Sequence, residues 1–144
     1  MRALTLTKDA RAARNAATIV LADTGSGSSS IKLYTAQGGA LLAIRKLASP
    51  CGTVRSDDGR IQLAASADND VVAATGAAAW GEWVAADGST VLAAGQVTDQ
   101  DGNVSDGMGG VTPTGAAGPW VLRGTAGTQL YEGGLVLLST GLIG

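Results

Sequence analysis

Histidine and phenylalanine are absent from this chain, and cysteine occurs once. Without histidine there is no Ser-His-Asp or Cys-His catalytic pair and no imidazole-ligated zinc. The single cysteine, Cys51, excludes an intramolecular disulfide. With Pro50 beside it and no candidate base, it reads as an inert thiol. Charge is also scarce, at 15% of residues with a net charge of −2, against about a quarter charged in an average domain. That surface lacks the basic footprint of a nucleic-acid binder. No apolar run approaches the roughly 20 residues of a membrane span. The N-terminus lacks the continuous apolar stretch of a signal peptide. These absences predict a soluble protein made in a reducing cytoplasm. They also predict no membrane or nucleic-acid contact, no cofactor, and no catalytic or metal-ligating residues.

What is present is glycine, at 22 of 144 residues, and small aliphatic side chains; tryptophan and tyrosine together number five. The length fits one domain spanning 1–144. Its core must be built from Ala, Val, Leu and Ile, which bury little area each at about 25 cal/mol per Å². The glycines add chain entropy that folding must overcome. A monomer of this composition is expected to be modestly stable, which favours stabilisation by assembly.

Residues 7–22, TKDARAARNAATIVLA, form the helix candidate. Thr7 is placed to cap it and Asp9 to meet the dipole in its first turn. Ala10, Ala13, Ala17 and Val20 share one face, thin enough to demand close approach to the domain body or to a neighbouring chain. DTGSGSSS (23–30) reads as a linker; no Lys follows its glycines as a P-loop requires. Beyond it the period changes to two. IKLYT (31–35), LLAIRKL (41–47), RIQLAAS (60–66), VVAAT (71–75), AAAWGEWVA (77–85), TVLAAGQV (90–97), WVLR (120–123), TQLYE (128–132) and GLVLLST (134–140) read as strands. SPCG (49–52) and DDG (57–59) read as turns, ADGS as a hairpin turn, and 98–118 as a long loop. The continuous LVLL suggests a strand buried on both sides or covered by a partner. The predicted architecture is all-β: an antiparallel β-sandwich of about eight strands (31–144), preceded by a helical arm and linker (1–30).

Asp99, Asp101 and Asn103 have the alternate spacing of a calcium loop. Val104 and Gly110 stand where an EF-hand needs Gly and Glu, so a solvated loop of Asx turns is the simpler reading. Glu82, Asp87, Asp99 and Glu132 offer carboxylates, but no spacing selects a catalytic pair. Trp80 and Trp83 say more. On a regular strand they point to opposite faces, one inside and the other outside or at an edge. Glu82 beside Trp80 favours Trp83 as the inner one, and an exposed Trp is a typical binding anchor.

DARAARNA (9–16), IKLYT (31–35), ATGAAAW (74–80) and DGSTVLAAGQV (87–97) resemble small Ala/Gly-rich structural proteins of tailed bacteriophages, over roughly the first two thirds of the chain. The nearest type is the capsid cement, or decoration, protein. Gly81-Glu82-Trp83 departs from that pattern, in which an aromatic or branched residue follows the first tryptophan directly. The resemblance implies a jelly-roll-like sandwich that sits on the virion exterior and binds the major capsid protein. It also implies a homo-oligomer, with a dimer favoured, and no enzyme activity. Contacts are then expected at Arg2, Lys8, Arg11, Arg14, Trp80, Trp83, Leu135, Leu137, Leu142 and Ile143. A neck, tail or fibre protein is the first alternative. A carbohydrate-binding module or adhesin is the second.

Overall fold

The computed structural model describes residues 4–67, 70–138 and 142–143; Arg2 lies outside them. The chain is mostly β, with one helix and a curled multi-strand sheet. Helix α1 (Lys8–Ala22) starts as the sequence predicts. Thr7 is extended, and its side chain accepts from the Ala10 amide. The strands are β1 (Ser30–Tyr34), β2 (Leu41–Val54), β3 (Ile61–Ala65), β4 (Asp70–Val71), β5 (Gly76–Ala77), β6 (Trp80–Val84), β7 (Val91–Asp99), β8 (Asn103–Ser105), β9 (Val111–Pro113), β10 (Trp120–Leu122), β11 (Gln129–Leu130), β12 (Leu135–Val136) and β13 (Leu142–Ile143). Seven form the main sheet, in the order β10-β7-β6-β1-β2-β3-β13. All its pairs are antiparallel except β7 with β10. Three two-stranded ribbons, β5–β11, β4–β12 and β8–β9, complete the described structure.

Three segments differ from the sequence reading. SPCG is no turn but the middle of β2, where the pairing with β3 slips between Leu47 and Gly52. Such an irregularity is where a strand accommodates Pro50, which has no N–H to give the ladder. The loop at 98–118 contains the hairpin β8–β9. LVLL alternates: Leu135 and Leu137 are exposed while Val136 is buried.

The helix also presents the opposite face from the one its alanines suggested. Asn15 and Ala22 are buried, and Ile19 packs on the core. Ala10, Ala13, Ala17 and Val20 face outward. Polar anchors decide the orientation. Asn15 Nδ2 donates to the Gly59 carbonyl at 2.7 Å and Arg11 Nη1 to that of Asp58 at 2.8 Å. At the other end the Ala86 amide donates to Ala22 at 2.7 Å, and the Asp23 carboxylate accepts from the Cys51 amide. Gly59 (φ +73°) permits this docking, because a Cβ there would lie 2.7 Å from the Lys8 carbonyl oxygen.

The core runs from Ile31, Leu33 and Ala43 of the sheet to Val72, Leu122, Leu130 and Val136 near the ribbons. Trp83 and Trp120 supply the bulk that a phenylalanine-free interior otherwise lacks. Trp120 lies over Gly81 and donates its indole N–H to the Gly81 carbonyl at 2.9 Å. A Cβ at Gly81 would meet the indole at 2.5 Å. This close approach accounts for the glycine between the two tryptophans. Gly81→Ala is expected to displace the ring and cost about 1–3 kcal/mol, the usual range for overpacking. A lowered thermal midpoint with reduced Trp burial by fluorescence quenching would show it.

Candidate functional site

The tryptophans of β6 separate as period two requires. Trp83 is fully buried and donates to Ser29 Oγ at 2.8 Å; that hydroxyl donates to the Val84 carbonyl at 2.8 Å. Trp83 therefore has no surface to offer a partner. Trp80 is half-buried on the other face, directly across from Tyr34 on β1 and Gln96 on β7. Its indole nitrogen is buried, with no hydrogen-bond partner among the described residues. Burial pushes the Tyr34 phenol up, with Glu82 adding to the shift.

Asp87 and Asp99, two of the candidate carboxylates, lie far apart. Asp87 sits at the β6–β7 turn and Asp99 at the far end of β7, about 30 Å apart along a strand. Asp87 accepts from the Ser89 and Thr90 amides and the Thr90 hydroxyl. The Thr90 hydroxyl, then the two amides, hold its carboxyl down at about 2. Asp99 is buried and closes the loop that resembles a calcium site. Oδ1 accepts from the Asp101 and Asn103 amides at 2.9 and 2.8 Å, and Oδ2 from Gly127 at 2.6 Å. The Asx turns of the sequence reading are present, but their aspartate is buried rather than solvated. Among the described residues, no group of three His, Cys, Asp or Glu is placed to hold a metal ion. Burial, then the Asp23 charge, pushes the Cys51 thiol up to about 12, so it carries no thiolate at neutral pH.

The basic and C-terminal candidates divide. Arg11 is engaged with the Asp58 carbonyl, while Lys8 and Arg14 are exposed on the helix. Ile143 pairs with Ile61 on β3 and packs on the core; Leu142 pairs with Gln62. Leu135 and Leu137 do reach a surface, and it is larger than the sequence indicated. Leu135 stands directly across from Val71 in the β4–β12 ribbon, and the two are 56% and 61% exposed. Leu137 and Tyr131 adjoin them at 44% and 65%.

Leu135, Leu137 and Tyr131 line a groove of about 240 Å³, floored by buried Val72, Leu122 and Leu130. It continues past Gln129 and Tyr131 into a second hollow of about 320 Å³ beside Val111. Past Arg123 and Leu137 it continues into a third, of about 390 Å³. Exposed apolar surface of this kind marks an interaction site more often than a lone exposed leucine does. No family model, curated protein or solved structure matches the chain. Val71 and Tyr131 escaped the sequence reading. Only the pairing of β4 with β12 places Val71 beside Leu135, and Tyr131, within a strand by its sequence pattern, lies just past the end of β11. The useful signal was the uninterrupted LVLL.

Proposed function

We propose that this protein is a structural component of a phage virion. In this reading it binds the outer surface of the capsid and cements neighbouring major capsid subunits. The resemblance of the helix, first strand and hairpin motifs to decoration proteins supports it. The observation that carries it is a pair of apolar faces left uncovered among the described residues, at separate places. One is the outward stripe Ala10, Ala13, Ala17 and Val20 of α1; the other is the ribbon groove around Leu135. A cement must hold two neighbours at once, and a marginal monomer gains stability by mass action when it binds. The finer description of the fold as a jelly-roll-like sandwich belongs to this proposal, with the short ribbons as the remnant of a second layer over the curled sheet.

The alanine stripe admits close approach of a capsid subunit, with Arg14 beside it. Ala13→Glu with Ala17→Glu places two charges on that contact, at little helix cost. Occupancy on purified particles is expected to fall more than about tenfold while the isolated domain unfolds as before. Full occupancy by the double variant would overturn the assignment of this face. A neck, tail or fibre protein would have the same surfaces, and copy number per particle separates the two readings.

A further inference from the structure

The three connected hollows around the β4–β12 ribbon differ in chemistry from one end to the other. The central one, of about 240 Å³, has its apolar floor on Val72, Leu122 and Leu130 and is bordered by exposed Leu135, Leu137 and Tyr131. It shares Thr125, Gln129 and Tyr131 with the hollow at one end, and Arg123, Gly124 and Leu137 with the hollow at the other. The two end hollows have no lining residue in common, so the three form an elongated trough rather than a single pit. The end beside Val111 is lined by uncharged residues, Ser105, Thr125 and Gln129 among them. Of all the lining residues, Arg123 is the one that carries a charge. It is exposed, and its guanidinium makes no hydrogen bond or ion pair among the described residues.

A lone cation beside an apolar floor is complementary to a ligand that carries a carboxylate next to an apolar group. The length of the trough decides what kind of ligand. A small amphiphile fills one hollow, whereas an extended chain sets side chains on one side every ~7 Å and engages successive hollows. We propose that the trough binds an extended segment of another protein in which an acidic residue stands two positions from an apolar one. The carboxylate meets Arg123, and the apolar side chain lies over Val72, Leu122 and Leu130. Further along, the Thr125 hydroxyl and the Gln129 carboxamide oxygen are placed for polar groups of the same segment. The proposal deepens the capsid reading and rests on it only for which protein supplies the segment.

A bead-bound library of random heptapeptides, probed with the purified, labelled protein, tests the site. Bound peptides are expected to carry Asp or Glu two positions from Leu, Ile, Val or Met about threefold more often than the library does, since an exposed charge pair contributes modestly. Arg123→Glu should reverse that choice, selecting Lys or Arg at the same spacing, and should bind the wild type's best acidic peptide about tenfold more weakly. Leu135→Asp should weaken every selected peptide. Both positions are exposed, so circular dichroism and unfolding midpoints should match the wild type. A wild-type protein that retains no peptide, or that shows no preference for the acid, would overturn the proposal. So would an Arg123→Glu variant with an unchanged preference. Wild-type self-association in sedimentation that Arg123→Glu abolishes would seat a second copy in the trough instead. Laurate that displaces the selected peptides as well as they displace one another would reduce the trough to a site for a small amphiphile. The library assay involves no particle, so its failure is distinct from a failure of capsid occupancy, which tests the capsid reading.

Discussion

Trp83→Ala is expected to lower the unfolding free energy by about 4 kcal/mol, within the 3–5 kcal/mol typical of buried Trp→Ala changes. The side chain has no exposed surface, and its cross-strand neighbours are Ile31 and Ala93. Few side chains in this interior are large enough to collapse into the vacated volume, since there is no phenylalanine and the core includes alanines at Ala22, Ala43 and Ala78. The loss is a large share of what a domain of this size usually has, about 5–15 kcal/mol in total. Trp83→Phe should cost less. It keeps most of the volume, and Ser29 Oγ still donates to the Val84 carbonyl. Urea unfolding followed by circular dichroism measures both. A Trp83→Ala protein within about 1 kcal/mol of wild type would show that the tryptophan is not the centre of the core.

Asp99→Ala is expected to cost about 3 kcal/mol, because it leaves the Asp101, Asn103 and Gly127 amides without their acceptor. Asp99→Asn should recover only part of this. One carboxylate oxygen takes two amides and the other takes the third, so a carboxamide nitrogen at either place sets donor against donor. The same geometry gives a pH dependence of definite sign. The Asn103 amide foremost, opposed by burial and helped by Gly127 and Asp101, holds the Asp99 carboxyl below its usual range. A depressed folded-state value means the stabilisation is present above the ordinary aspartate value, about 3.9, and is lost as pH falls below it. Asp87 contributes in the same direction, being held at about 2. The comparison is therefore between wild type and Asp99→Asn, whose stability should fall less steeply on acidification. Parallel curves would contradict the role given to Asp99.

Much of the fold is legible in the residues because local chemistry and tertiary packing agree there. Thr7 caps the helix, Asp87-Gly88 closes the hairpin, and period two puts Trp80 and Trp83 on opposite faces with Glu82 marking the outer one. The failures have one cause in common: a distant partner outweighs the local pattern. The alanine face of α1 left the domain body and a neighbouring chain open, and the domain body is not its partner, because Asn15 and Arg11 find carbonyls on the β2–β3 turn and the stripe faces outward. Pro50 looked like a turn, but β2 runs through it with a slip in register. The candidate surface was half visible. Leu135 and Leu137 announce themselves in sequence, whereas Val71 joins them only through the pairing of β4 with β12.

The core tryptophans and the Asp99 loop hold a frame, and in the proposed reading the apolar helix stripe and the ribbon groove are the surfaces that meet neighbours. The capsid assignment is tested most directly by a reconstruction of the purified phage particle that carries this chain. The account predicts density for the domain across the capsid exterior, at every equivalent lattice position, with α1 turned towards the capsid subunits. Density confined to the neck, tail or fibres would contradict it.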